Sequence, residues 1–498
     1  MATKYLTNFI TEAEYDEFLN SNECPYVNVS YIQELDENRY YKDIYAQQFK
    51  PFTIEILEQN ESDKLGWIQC GITWNTNYTY TINRNGVDIY TGSGESGWQV
   101  DFRSPTGYFE TGDKISIIFS GDKEHRSDGQ FTRWWRFYTS ADSEYCNVYE
   151  NTLKVAVSGN IMSLYTDDYA YASPKDINLW GSNTVSFKLG SFFTDFEHDR
   201  QKTYLKNAKN LFLPAHGLTP NIFERMFAEA AYLEEGPDIL AKYLPSEACS
   251  EMFKNCVRLK GMPNIAATKV NTRMTFNYMF SKAGNSIAAG VEFLTTPLHI
   301  KEIEGADGYG NGYGLFEGMF FNCEHLIDAP TWDEHYKYTI AKEFPLGVGS
   351  FQRMFYMTFR NCYNLEHCDW NIVLVTPVYA YWHDPQYGLT INDMVETFTN
   401  CYALASAPKF IDGETYGDEN SAIDIHWFDY GNSSTSLQTL ILGTISGPIN
   451  SISGHELDDV TTVYVADDSV YLDSSSQYYG ATIFSQATAQ PISNYTPS

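Results

Sequence analysis

The side chains best equipped for chemistry are cysteines in a recurring setting: Asn255-Cys256, Asn322-Cys323, Asn361-Cys362 and Asn400-Cys401. A thiolate is both a nucleophile and a zinc ligand, so repeated thiols suggest a metal site first. The spacing argues otherwise. The nine Cys are odd in number and form no C-x-x-C pair, so neither a zinc ribbon nor a disulfide framework is indicated. Cys362, His367, Cys368 and His383 come nearest to a mixed ligand set, yet match no zinc pattern. The better reading makes these Cys small buried residues, with each Asn bonded to turn backbone. Thiols kept free fit a reducing cytosol.

Other chemistry finds little support. No G-x-S-x-G, H-E-x-x-H or Walker loop occurs. Acidic pairs such as Asp167-Asp168 could serve glycoside hydrolysis, but among 64 acids they carry no information. The acids at 412–420 lack EF-hand spacing and read as a solvated loop. No catalytic residue, metal or cofactor is expected. The candidate ligand residues are aromatic. Tyr309 and Tyr313 stand in a Gly-Tyr loop, Tyr381 and Trp382 in a Tyr-Trp-His run, and Trp427 in a His-Trp-Phe run. Such rings could stack on sugar faces; the competing readings are a loop insertion for the first pair and core or subunit packing for the rest.

The chain has 33 basic and 64 acidic residues, a formal charge of 33 − 64 = −31. That balance excludes a nucleic-acid binder and docking on an anionic membrane. No apolar run is long enough to span a bilayer, and no export signal is read at the N-terminus. With 43% hydrophobic and 16% aromatic residues the chain is folded. Its 498 residues predict two to four domains.

The elements that must position these residues divide the sequence into five. Residues 1–45 begin with a capping box at Thr11 and Glu14. Tyr15 and Phe18 then share one helix face, and Val29 and Tyr31 alternate as a strand; so small a unit must pack on something larger. Residues 46–145 read as five or more short alternating strands with an Asn85-Gly86 turn, predicting an Ig-like β-sandwich. Residues 146–210 lead into an internal repeat over 211–480, and 481–498 are a polar tail.

The repeat is Met/Thr-Phe-x-x-Cys-x-x-Leu-x-x-x-Pro, starting at 226, 252, 279, 319, 358 and 397, in steps of 26, 27, 40, 39 and 39 residues. Its expected core is Phe227, Phe253, Cys256, Leu259, Phe320, Cys323, Leu326, Phe359, Cys362, Leu365, Phe398, Cys401 and Leu404. Each Phe should close a short helix, and each Leu should point inward from a short strand. One copy cannot bury its own apolar face, so stacked copies must share a core.

This motif resembles the BspA-like leucine-rich repeats of gut-bacterial surface proteins and of structural proteins of their phages. The resemblance covers roughly residues 200–480. The segment from Cys146 to Leu164 is similar to the lead-in of such repeats in Bacteroides-phage proteins, and residues 9–32 to an N-terminal module of their virions. It implies a mainly β multidomain chain with short helices: an N-terminal adaptor, a β-sandwich and a leucine-rich-repeat solenoid. The implied function is that of a non-enzymatic virion structural protein, a capsid head fibre or decoration protein. Tyr15, Phe18, Val29 and Tyr31 would anchor it to other virion proteins, capsid or tail. Copies would form a homo-oligomer, and the array would bind host or mucosal glycans weakly and multivalently. A tail fibre and a bacterial surface adhesin are the alternatives. Localisation would be the virion, after synthesis in the host cytoplasm. The 39–40-residue steps imply that loops on one face carry the particular function.

Overall fold

The computed structural model describes residues 47–58, 65–72, 78–94, 99–101, 110–121, 133–139, 154–170, 172–174, 194–195, 200–201, 204–271, 273–300, 302–304, 314–331, 338–339, 355–374, 389–390, 396–413, 415, 423–425, 427, 435–451, 457–484 and 486–496. They are mainly β with almost no helix. The N-terminal unit 1–45, with Tyr15, Phe18, Val29 and Tyr31, lies outside the described residues. Two compact units divide the chain: Met1–Pro245 with Asn255–Leu259 and Pro263–Ala267, and Thr268–Ser498 with Ser246–Lys254 and Lys260–Met262.

The first unit carries strands β1 (Phe52–Glu58), β2 (Leu65–Ile72), β3 (Tyr78–Arg84), β4 (Val87–Gly94) and β5 (Gln99–Asp101). They are followed by β6 (Lys114–Gly121), β7 (Arg133–Thr139), β8 (Lys154–Asn160) and β9 (Tyr204–Phe212). One sheet has the order β9-β8-β1-β6-β3-β4, and a second β5-β2-β7. All pairings are antiparallel except β9 with β8. Period-two alternation decides what the six-stranded sheet buries. Phe52, Ile54 and Ile56 of β1, Ile115 and Ile117 of β6, and Val155 and Val157 of β8 are buried, while Thr53, Glu55, Ser116 and Ser158 face the other way. The Asn85-Gly86 turn takes φ of 53° and 89°, the left-handed pair that a tight hairpin needs. The Asn85 side chain locks it, accepting from the Lys114 amide and donating to Asp113.

The boundary at 145 is displaced in the structure. Strands β8 and β9, assigned in sequence to a lead-in and to the start of the repeats, complete this sheet. Without β8, strand β1 would be a long apolar edge, which folded proteins avoid.

In the second unit the Met/Thr-Phe segments are not the short helices that the spacing predicts. They are runs of tight turns. Met274, Tyr278 and Lys282 have φ of 48°, 48° and 58°, so every fourth residue is left-handed. Only alternate amides close turns within the copy: Met279 N to Phe276 O, Ser281 N to Tyr278 O and Ala283 N to Phe280 O. The intervening amides reach the next copy, Phe276 N to Leu315 O, Tyr278 N to Glu317 O, Phe280 N to Met319 O and Lys282 N to Phe321 O. An α-helix would close the amides beyond its first turn onto its own carbonyls, so they could not reach the next copy.

One file of peptide groups continues through five bonds. Phe253 N donates to Met279 O (2.8 Å), Phe280 N to Met319 O (2.8 Å) and Phe320 N to Thr358 O (2.8 Å). Phe359 N then donates to Thr397 O (3.0 Å), and Phe398 N to Trp427 O (2.9 Å). The side chains follow the backbone. Rings of Phe253, Phe280, Phe320, Phe359 and Phe398 stack at centroid separations of 5.5, 5.5, 5.5 and 5.7 Å. A second file joins Phe276, Phe316 and Phe355 at 5.6 Å per step. Trp370 leans on Phe316, Phe355 and Phe359, and its indole donates to Pro330 O at 2.7 Å. Burying one such side chain is worth roughly 1.5–3 kcal/mol, and a ring pair adds about 0.5–1.5 kcal/mol. Gly318, at φ 58°, leaves room for the Tyr278 ring, which a Cβ there would strike. Tyr278 thereby passes over it to donate to Met357 Sδ at 3.8 Å.

Parallel ladders run through the same copies: Lys269–Asn271 with Glu302–Glu304, and Tyr338–Thr339 with Asn371–Leu374 and then Lys409–Gly413. Toward the C-terminus Thr439–Leu442, Thr462–Val465 and Thr488–Pro491 pair in parallel. The last of these falls in 481–498. That segment is therefore not simply a polar tail: Ile483 and Ala487, bridged to each other, are buried ahead of the strand, and Pro491 closes it.

Candidate functional site

The Asn-Cys pair is built by the turn run. Asn255, Asn322, Asn361 and Asn400 have φ of 60°, 60°, 62° and 62°, a region where a short amide side chain is among the few that sit comfortably. The Asn side chains of successive copies also form a ladder. Asn361 Nδ2 donates to Asn322 Oδ1 at 2.6 Å, and Asn400 Nδ2 to Asn361 Oδ1 at 2.7 Å. In the first unit Asn255 Nδ2 donates to Glu229 Oε1 at 2.6 Å.

The thiol one residue on is fully enclosed. Cys256 Sγ donates to Phe227 O (3.0 Å), Cys323 to Phe280 O (2.8 Å), Cys362 to Phe320 O (3.0 Å) and Cys401 to Phe359 O (3.1 Å). In each case the acceptor belongs to the preceding copy. Burial pushes all four thiols far above their ordinary pKa, and Cys249 and Cys368 likewise. A protonated, enclosed thiol is neither nucleophile nor metal ligand. Among the described residues no group of three or more His, Cys, Asp or Glu is placed to hold a metal ion. The remaining motif positions, Phe227, Phe253, Leu259, Phe320, Leu326, Phe359, Leu365, Phe398 and Leu404, are all buried.

Of the aromatic candidates, Tyr309, Tyr313, Tyr381 and Trp382 lie outside the described residues. Trp427 is a correction. It is fully buried, with Phe398 at 6.2 Å and Phe410 at 5.8 Å, so its faces are taken by its own chain and no sugar can reach them.

The structure exposes a different pair. Tyr363 and Tyr402 follow Cys362 and Cys401 in successive copies, and are 37% and 47% exposed. Their rings stack at 5.5 Å and 14°. Two residues further on, Leu365 and Leu404 turn inward and fix the backbone beneath. On the same strip Asn364 donates to Glu324 O at 2.7 Å, and Glu366 and His367 are exposed with His367 Nε2 3.8 Å from the Glu366 carboxylate. Asp328, His367 and Ser406 are aligned by parallel bridges. The strip thus offers ring surface beside donors and acceptors on a rigid backing. The repeated Asn-Cys-Tyr-x-Leu at 361–365 and 400–404 is the signal that marks these tyrosines in the sequence.

A second polar cluster is set deeper. Glu396, almost fully buried, accepts from Tyr356 Oη at 3.3 Å and is ion-paired with Arg360. Tyr356 and Arg360 belong to one copy and Glu396 to the next, so this cluster ties copies together. No family model, no curated protein and no solved structure matches this chain.

Proposed function

We propose that this chain is a non-enzymatic structural protein of a phage virion, a head fibre or decoration protein, whose stacked copies form a BspA-like leucine-rich-repeat solenoid that adheres weakly to host or mucosal glycans. The observation that carries the adhesive part is the exposed Tyr363–Tyr402 stack, with Asn364, Glu366 and His367 beside it, on a backing of buried Phe and Leu. An aromatic ring beside planar polar groups suits a sugar, whose C–H face stacks while its hydroxyls bond sideways. A single site of this kind binds weakly, and many copies on one particle supply avidity.

Two measurements test this reading. An antibody to the repeat region, viewed on intact virions by electron microscopy, should decorate the head. Label confined to the tail would move the protein to receptor recognition, and absence of the protein from particles would sink the virion assignment. For adhesion, the double variant Tyr363→Ala/Tyr402→Ala should lower retention on a mucin column by about tenfold while the thermal midpoint stays within a few degrees. Unchanged retention would remove the tyrosine pair from the proposal.

A further inference from the structure

The polar face of the six-stranded sheet in the first unit forms the floor of a groove of about 930 Å³, at the upper end of the ~300–1,000 Å³ usual for ligand sites. Thr53, Ser116 and Ser158 line that floor, and Thr53 Oγ1 and Ser116 Oγ lie 2.8 Å apart. One wall comes from β9 and the stretch 234–235 bridged to it, where Lys206 meets Glu234 at 3.5 Å and Lys209 meets Glu235 at 3.9 Å. Asn207 Nδ2 is fixed on Glu235 Oε2 at 2.5 Å. The other wall is the Asn83–Gly86 turn, with Lys114 3.7 Å from Glu55.

Three properties narrow the ligand. The floor strands are paired in ladders on both sides, so their backbone is occupied and recognition must come from side chains. Among the described residues the lining holds four lysines against three glutamates, 4 − 3 = +1, in a chain of formal charge −31. It is therefore close to neutral, and a strongly charged ligand has no counterpart there. Among the described residues no aromatic side chain lines the groove, which does not suit a drug-like aromatic. What the lining does offer is alternation: lysine and amide donors next to carboxylate, amide and hydroxyl acceptors, several of them held by a neighbour. Hydroxyl groups donate and accept at once, so a chain of sugars matches that alternation along its length. We infer that this groove is a binding site for an uncharged oligosaccharide. The site stands independently of the tyrosine pair.

The test uses the full chain and four immobilised neutral probes: maltohexaose, cellohexaose, mannohexaose and xylohexaose. At least one should be retained at millimolar concentration or below in the Tyr363→Ala/Tyr402→Ala background, where the tyrosine pair cannot account for the retention. Ala156→Trp, which fills the groove from its floor, should weaken it by about tenfold. The exchange Lys206→Glu/Glu234→Lys keeps the ion pair but inverts donor and acceptor. It should weaken binding by about fivefold with an unchanged thermal midpoint, whereas a purely structural pair would tolerate it. The exchange decides the matter if the Trp variant does not fold. Retention of none of the four sugars would overturn the inference. So would tighter binding of hexagalacturonate, an anionic probe, or full retention by both groove variants.

Discussion

A cysteine that never meets solvent still leaves a mark on pH dependence. Cys362 donates its S–H to Phe320 O, and burial raises its pKa. In the unfolded chain the same thiol titrates near ~8.5. The native state thus holds a proton that the unfolded state loses. The thiol's contribution is complete below about pH 8.5 and is lost as pH rises from there toward the raised native value. Each buried thiol should add a slope of about 1.4 kcal/mol per pH unit in that range. Urea unfolding between pH 7 and 10 should show this alkaline loss. Cys362→Ala should be about 1–3 kcal/mol less stable at pH 7 and should show a shallower slope. An equal slope in the variant would mean that Cys362 is not enclosed. The tyrosines obey the opposite logic: one residue beyond the enclosed thiol, Tyr363 and Tyr402 are free to act on the outside because Leu365 and Leu404 hold the chain from within.

At the scale of the element, the turn run is the unit that repeats. Its amides alternate between closing turns and reaching the next copy, and the file through Phe280, Phe320 and Phe359 is continuous. Successive hydrogen bonds in one file polarise one another and share their protection. Amide exchange should therefore be slowest at Phe280, Phe320 and Phe359, inside the file, and faster at Tyr363 and Tyr402, whose segments are exposed. Uniform exchange through residues 276–283 would indicate a helix instead. How much of this was legible beforehand varies by residue. The recurrence of Phe, Cys and Leu marked the buried positions, because only a shared apolar face explains that spacing. The conformation was not legible. A Met-Phe run reads as helix. Of the left-handed positions, Asn255, Asn322, Asn361 and Asn400 carry a signal for it, but Met274, Tyr278, Lys282, Met357 and Glu396 do not. Stacking between copies imposes that geometry against local preference. The tyrosine pair could have been found from Asn-Cys-Tyr-x-Leu; the groove could not, because it depends on β9 arriving beside β8 from 44 residues away, between Asn160 and Tyr204.

For the whole molecule, a formal charge of −31 dominates the electrostatics. Most of the described ion pairs have at least one exposed partner, as in Lys114–Glu55 at 60% and 40% and Lys209–Glu235 at 49% and 41%, and such pairs contribute little. Self-repulsion should prevail, and raising salt from about 10 mM to about 300 mM should raise the thermal midpoint by several degrees. A fall in the midpoint would show that the pairs outweigh the repulsion. The one-way direction of the peptide file through the turn runs adds a vector to this scalar. From Phe253 to Trp427 every bond in the file has its donor in the earlier copy and its acceptor in the later one. Each peptide between them therefore points its oxygen toward the N-terminal copies and its hydrogen toward the C-terminal ones. Aligned peptide dipoles sum in a helix, and the same addition operates here across separate stretches of chain. The stack of turns is a macrodipole laid crosswise to the backbone, negative at its first copy and positive at its last.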